Sequence, residues 1–190
     1  MRAKRVGLRI IGLFLSLFIV AGCAGSPAFR GTRIEPSTPA PEIDLADQNG
    51  NVFRVSDSTG RVVLIFFGFT NCPNECPLTA ARLKQALEML GERAKDVQVV
   101  MVSTDPVRDT PQAIGEFLGK FSPRFIGIPG TVESLSKVWD DYGVIVLDGG
   151  ETHSIFIYVV DQTGNLRLTF TADTSPENIA SDLKILLAKQ

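Results

Sequence analysis

The chain has 190 residues, of which 44% are hydrophobic and 21% are charged, enough for one compact domain of ordinary size. Its formal net charge of -2 gives no basic surface of the kind that binds nucleic acid, so no nucleic-acid partner is expected. Without the four cations of its N-terminal leader, the net charge is about -6, which indicates a solvated, mildly acidic surface.

Residues 1–22 have the pattern of a bacterial export signal. Four cations precede an apolar run, residues 10–20, that is shorter than the about 20 residues of a membrane-spanning helix. The run ends at Val20-Ala21-Gly22-Cys23, which resembles a lipobox and implies cleavage before Cys23 and acylation of that residue. An uncleaved signal anchor is the alternative. Either way, we expect the domain on the extracytoplasmic side of the cell membrane.

The cysteine count fits a lipidated N-terminus. Three cysteines would leave one unpaired thiol in an exported protein. If Cys23 carries lipid, only Cys72 and Cys76 remain for other chemistry. Residues 23–41 are rich in Gly, Ser, Thr and Pro and predict a lipid-anchored flexible tether, so the predicted folded domain is residues 42–190.

The predicted elements of this domain begin with a β-hairpin. Residues 42–46 and 51–55 flank a turn that contains Asn49-Gly50, a strong hairpin signal. Residues 62–69 form a continuous apolar run, as expected of a central strand buried on both faces. A helix with Pro77 in its first turn follows at once.

The second half of the chain alternates strands and helices. The predicted order is strand, helix, edge strand, helix, two antiparallel strands and a final helix, at residues 97–103, 112–121, 125–128, 132–142, 154–160, 165–171 and 176–188. This order predicts an α/β fold, with a mixed central sheet flanked by helices and an N-terminal β-hairpin. It resembles a thioredoxin-like sandwich with an inserted strand and helix.

The turn after the central strand carries Cys72 and Cys76. Such a pair can bind one metal ion or form a disulfide. A position beside a helix N-terminus favours the thiolate, the form that binds metals and attacks disulfides. A small structural disulfide is the alternative, although so short a loop gives it limited entropic stabilisation.

His153 is the only histidine, and it precedes the apolar strand 154–160. In a thioredoxin-like topology the loop before that strand faces the cysteine turn, although a lone histidine is more often a surface residue. Two thiolates and one imidazole are a soft ligand set that favours Cu(I) and keeps Cu(II) within reach. Structural zinc needs four protein ligands, so one copper ion per chain is the preferred metal.

Four motifs, in order, resemble the signature of the Sco/SenC family. They are Phe67-Gly68-Phe69-Thr70-Asn71-Cys72-Pro73-Asn74-Glu75-Cys76-Pro77, Ser103-Thr104-Asp105-Pro106-Val107-Arg108-Asp109-Thr110-Pro111, Phe125-Ile126-Gly127 and His153-Ser154. The resemblance covers residues 41–187. It implies a thioredoxin-like, membrane-tethered copper chaperone that helps assemble the dinuclear copper site in subunit II of cytochrome c oxidase.

The resemblance also implies the site residues and the partners. By position in the motifs, Cys72, Cys76 and His153 are the copper ligands. Asn74 and Thr152 depart from the commonest pattern, in which an Asp often stands at each position. The implied partners are cytochrome c oxidase subunit II or another copper-requiring oxidase, together with an upstream copper donor or thiol reductant.

Asp105, Arg108 and Asp109 form a polar loop ahead of a helix that begins near Pro111. One interpretation is that the loop supports the copper site or docks a partner. The other is structural: an Asp–Arg pair and an N-cap for the helix.

Three functions compete for the cysteine pair. A copper chaperone, which is a transfer protein rather than an enzyme, would pass copper by ligand exchange, and oxidation to a Cys72–Cys76 disulfide would stop it. A thiol-disulfide reductase that keeps a partner's cysteines reduced needs both cysteines but not His153, and it could coexist with the first. A peroxidase is disfavoured, because Pro73-Asn74-Glu75 does not resemble the usual Thr-x-x-Cys setting.

Overall fold

The computed structural model describes residues 28–188, which form one mixed α/β domain. Its strands are β1 Thr32–Pro39, β2 Leu45–Ala46, β3 Val52–Phe53, β4 Val62–Gly68, β5 Val97–Ser103, β6 Ile126–Ile128, β7 Val146–Leu147, β8 Thr152–His153, β9 Phe156–Val160 and β10 Asn165–Thr171. Its α-helices are α1 Glu75–Glu88, α2 Pro111–Gly119, α3 Val132–Asp141 and α4 Pro176–Leu187. The predicted leader and the Cys23 lipid site lie outside the described residues.

The central sheet has six strands in the order β1-β10-β9-β4-β5-β6. Strands β4, β5 and β6 are parallel, whereas β9, β10 and β1 join the other side of β4 in antiparallel pairs. Strands β2 and β3 form the predicted N-terminal hairpin as a separate sheet. The predicted fold class, a mixed sheet flanked by helices, is therefore confirmed.

Strand β4 lies at the centre because all of its residues are buried. Successive side chains of a strand point to opposite faces. Leu64 and Phe66 accordingly belong to the apolar core that contains α1, α2 and α4, while Val63 and Ile65 belong to the core that contains α3 and the β2–β3 hairpin. The carboxyl ends of β4 and β5 lie together, since the Thr104 N–H donates to the Gly68 carbonyl at 2.9 Å.

The prediction of a flexible tether over residues 23–41 is wrong from Arg30 onwards. Residues 30–39, which we call the N-terminal arm, are held against the domain. Within that range, β1 pairs with β10 as an edge strand. Just before β1, the backbone N–H groups of Arg30 and Gly31 donate to the buried carboxylate of Asp182 in α4, at 2.8–2.9 Å. Gly31 also packs so closely that a Cβ there would lie 2.7 Å from the Phe170 ring. From Arg30 onwards, the chain is part of the domain.

A second feature that the sequence did not predict is the short β7–β8 hairpin. Val146 pairs with His153 and Leu147 with Thr152, so His153 lies in a strand of this hairpin and not in the loop before β9. No helix within residues 28–188 has the length and apolar character needed to cross a membrane.

Candidate metal centre

The cysteine turn connects β4 to the first turn of α1. The Cys72 N–H donates to the Phe69 carbonyl at 3.3 Å, and the Cys76 N–H donates to Cys72 Sγ at 3.4 Å. The sequence predicted that both cysteines precede the helix. Because α1 begins at Glu75, Cys76 instead lies inside its first turn. Both described cysteines are free thiols; Cys72 is partly exposed and Cys76 is buried.

Gly68 allows Cys76 to pack against the end of β4. A Cβ at this position would lie 2.8 Å from Cys76 Sγ, too close for an unstrained contact. Burial in this tight space raises the pKa of the Cys76 thiol, and neighbouring Cys72 and the charge of Asp109 act in the same direction. For Cys76, the predicted preference for thiolate at a helix N-terminus is therefore wrong. Metal binding at this sulfur must displace a proton.

His153 faces the cysteine turn from the β7–β8 hairpin. Its Nδ1 lies 2.9 Å from the Ser154 carbonyl oxygen. Because a carbonyl can only accept, this hydrogen bond requires a proton on Nδ1, which leaves the Nε2 lone pair of the neutral ring for a metal. The ring stands edge-on to Phe69, with 6.0 Å between the ring centroids.

The structure brings the predicted ligands to one end of the sheet. Cys76 and His153 line the same narrow pocket, together with Glu75, and Cys72 is hydrogen-bonded to Cys76. Within residues 28–188, no three His, Cys, Asp or Glu side chains lie close enough together to hold a metal ion. The donor set nevertheless fits copper, because thiol sulfur and imidazole nitrogen are the ligands that Cu(I) prefers. The three-ligand site itself stays a prediction.

Asp109 fixes the approach to the cysteine turn. Its buried carboxylate accepts hydrogen bonds from the Thr70 N–H at 2.9 Å, the Thr70 hydroxyl at 2.7 Å and the Ser103 hydroxyl at 2.6 Å. Thr70 is two residues before Cys72, and Ser103 ends β5. One carboxylate thus ties together the ends of the two central strands and the turn that carries the thiols.

Asp105 and Arg108 connect the same loop to the hairpin that carries His153. Arg108 donates to the buried Asp105 carboxylate through its backbone N–H, at 3.2 Å, and through its Nε. Its Nη2 donates to Glu151 at 2.8 Å, and its guanidinium lies 5.9 Å from the centroid of the Phe69 ring.

The predicted Asp–Arg pair is therefore confirmed. The N-cap of α2, however, is Thr110, whose hydroxyl accepts from the Ala113 N–H at 3.1 Å. Asp109 turns inward toward Thr70 instead.

Three residues of this network, Thr70, Ser103 and Glu151, were not predicted from the sequence. Thr70 lies inside the first motif, where its polar side chain just before two cysteines was a usable signal. Glu151 had no such signal, because its contact with Arg108 depends on the unpredicted β7–β8 hairpin.

Comparisons with known proteins place the chain in a family. The family model described as SCO1/SenC matches residues 32–188. A SCO2-like protein of Rickettsia felis is 34% identical over 152 residues, which cover 75% of this chain and 74% of the relative. The structure of Bradyrhizobium japonicum ScoI with copper bound is 32% identical with a TM-score of 0.72, covering 79% of this chain and 100% of that one. A SCO1/SenC family lipoprotein from Bacillus anthracis is 27% identical with a TM-score of 0.69, covering 80% and 98%.

Proposed function

The chain belongs to the SCO1/SenC family, and on that premise we propose that it is a membrane-tethered copper chaperone. The cargo is one copper ion per chain, and the destination is the dinuclear copper site of cytochrome c oxidase subunit II or another copper-requiring oxidase. The observation that carries the proposal is the pocket shared by Cys76 and His153, beside the turn that also holds Cys72. The copper bound by the Bradyrhizobium japonicum relative supports the choice of metal.

Each residue of the site has a distinct part in holding copper. Cys72 is partly exposed and offers the first sulfur, whereas Cys76 is buried and loses its proton when it binds. His153 offers Nε2, since Nδ1 is engaged with Ser154. Because no three His, Cys, Asp or Glu side chains within residues 28–188 are placed to hold a metal ion, copper binding requires a rearrangement of these side chains.

The proposed tether begins at a lipidated Cys23. The Bacillus anthracis relative is a lipoprotein, which supports an anchor of this kind. The proposed division of the chain is then a signal peptide at residues 1–22, a short tether from residue 23, and a copper-binding domain that includes Phe29, which packs against the core, and Arg30, which Asp182 holds.

The thiol-disulfide reductase stays the second candidate, because one thiol is partly exposed and the other is buried behind it. The Cys72 thiolate would attack a partner disulfide and form a mixed disulfide. Cys76 would then attack Cys72 Sγ, release the partner as a dithiol and leave a Cys72–Cys76 disulfide. An upstream thiol reductant would restore the pair.

An anaerobic Cu(I) competition titration on the reduced chain in detergent tests the first proposal. We expect one copper per chain, and a loss of affinity of about tenfold or more in His153→Ala, because a three-ligand site loses one ligand. Cys72→Ser is the matched variant in the cysteine turn. We expect it to lose at least as much Cu(I) affinity as His153→Ala. Equal, weak binding in wild type and His153→Ala would exclude the chaperone site. Disulfide reduction that requires Cys72 but not His153 would then identify the reductase.

A further inference from the structure

The exposed apolar side chains of this domain are concentrated at the metal centre. Nine large apolar side chains are exposed within residues 28–188. Seven of them lie at or next to this end of the sheet: Ile155 and Phe156 line the metal pocket, Val107, Val132 and Leu147 line a second pocket, and Leu78 and Ile145 lie close in sequence to Cys76 and to β7. Only Val52 and Met89 lie elsewhere. We call the seven the apolar rim, and a surface of this kind marks an interaction site.

The rim contains a groove beside the metal pocket. Val107, Val132, Leu147 and Trp139 are among the residues that line this groove, whose volume is about 220 Å³. The Thr104 hydroxyl donates to the Gly150 carbonyl at 3.0 Å and closes the floor. A Cβ on Gly150 would lie 1.9 Å from the Thr104 carbonyl oxygen, so only glycine allows this contact.

The groove is thus formed before any partner binds, which lowers the entropic cost of docking. Two segments that line it, the 105–109 loop and the β7–β8 hairpin, are the segments that Arg108 and Glu151 join beside Phe69 and His153. A partner in the groove would therefore lie against the hairpin that carries His153.

The two pockets of this surface are each lined by one carboxylate that has no ion pair within residues 28–188. Asp148 lines the groove, and its carboxylate accepts from the Thr152 hydroxyl at 3.0 Å. Glu75 lines the metal pocket and has no ion pair within the described residues. No Lys or Arg lines either pocket, and Arg108 nearby is already engaged by two carboxylates. This surface is complementary to apolar side chains bordered by Lys or Arg.

We propose that the apolar rim is the docking surface for the copper-receiving protein domain, and that this domain inserts an apolar protrusion flanked by basic side chains into the groove. The proposal rests on the proposed function, because copper passes by ligand exchange only if the receiving ligands reach Cys72 and His153. A receiving domain must therefore cover the surface that borders these residues, which is the rim.

The test compares two double variants of the full chain that carry the same kind of substitution. Each protein is reduced, loaded with Cu(I) and kept in detergent. Val107→Ser with Leu147→Ser removes two apolar side chains that line the groove. Val52→Ser with Met89→Ser makes the same kind of change at the two exposed apolar positions outside the rim. The probe is the apo copper-binding domain of cytochrome c oxidase subunit II from the same organism. Its complex with each variant is measured by titration, and copper transfer by the absorbance of the receiving site.

We expect the groove variant to weaken the complex and slow the transfer about tenfold or more, with Cu(I) affinity unchanged and the control variant equal to wild type. Asp148→Asn should lower the association rate at low salt, while Glu92→Gln, an exposed acid outside the rim, should not. Asn tolerates the positive φ of Asp148, so the hairpin is kept.

Wild-type transfer with no difference between the groove and control variants would overturn the docking surface and leave the chaperone function intact. Tight Cu(I) binding with neither a complex nor transfer in wild type would overturn both the docking proposal and the proposed destination of copper.

Discussion

Asp109 and Asp182 are both buried carboxylates with no Lys or Arg partner in the described part of the chain, but they fasten different segments. Asp109 is 2% exposed and holds the cysteine turn through Thr70 and Ser103. Asp182 is 0% exposed and holds the N-terminal arm through backbone N–H groups alone. Burying a carboxylate is costly unless hydrogen bonds satisfy its oxygens. In both cases the donors are neutral. We call each carboxylate a clamp, because its hydrogen bonds hold a backbone segment in place.

The two clamps differ in what their release would do. Thr70 lies between β4 and Cys72, so its half-buried N–H and the buried Ser103 hydroxyl would lose their acceptor if Asp109 were removed. The arm lies at the edge of the sheet, where Arg30 and Gly31 can move away and be hydrated by water. Asp109, which holds a turn inside the domain, should therefore matter for stability and metal binding. Asp182, which holds the N-terminal arm, should matter mainly for local order.

Asp109→Ala should have the largest effect. We expect the free energy of unfolding to fall by about 2–4 kcal/mol, because buried donors are left unsatisfied, and Cu(I) affinity to fall with it. Urea denaturation of the reduced, copper-free chain and Cu(I) competition measure the two effects. Asp57→Ala, at an exposed acid, is the control and should change neither. A loss of stability with unchanged copper affinity would show that Asp109 does not position the cysteine turn.

Asp182→Ala should have a smaller and more local effect, about 1–2 kcal/mol, because the released backbone groups become hydrated. Amide hydrogen exchange should accelerate at Arg30, Gly31 and along β1, and protease cleavage before residue 40 should increase. Copper affinity should equal that of wild type. If Cu(I) binding weakened as much as in Asp109→Ala, the arm and the metal centre would be coupled and the contrast between the clamps would be wrong.

Glu151→Gln, at an exposed carboxylate, should have the smallest effect. Its ion pair with Arg108 is solvent-exposed on both sides, and such pairs contribute little and are screened by salt. We expect the midpoint of urea denaturation to be unchanged, and hydrogen exchange of the Thr152 and His153 amides to increase slightly at low salt only. An equal increase at high salt would mean that the glutamate holds the hairpin by something other than charge.

The sequence predicted most of the sheet because its central strands have a strong pattern. The runs at β4 and β5 are apolar throughout and match strands buried on both faces. Ser175 and Pro176 mark the start of α4 by their chemistry, and the Ser175 side chain does accept from the Asn178 N–H. The motif residues Cys72, Cys76 and His153 were singled out as ligands because cysteine and histidine are rare in this chain, and their role stays a prediction.

What the sequence did not predict depends on tertiary contacts. Residues 32–39 are mostly polar, and they form a strand because β10 offers them an open edge. Asp182 has the appearance of an exposed helical acid, yet its donors are backbone groups that no side-chain pattern reveals. The proton affinity of Cys76 follows from burial against Gly68, and this outweighs the helix N-terminus that the sequence shows.

The clamp on the arm also sets how far the domain can stand from a membrane. Arg30, the first residue held by Asp182, is seven residues beyond Cys23. With the proposed lipid on Cys23, that stretch can span at most about 25 Å, since an extended chain advances about 3.3–3.6 Å per residue. Unfastening the arm as far as Pro39 would add about 30 Å of reach. Under the proposed lipid anchor, the Asp182 clamp would therefore keep Arg30 within about 25 Å of the bilayer surface.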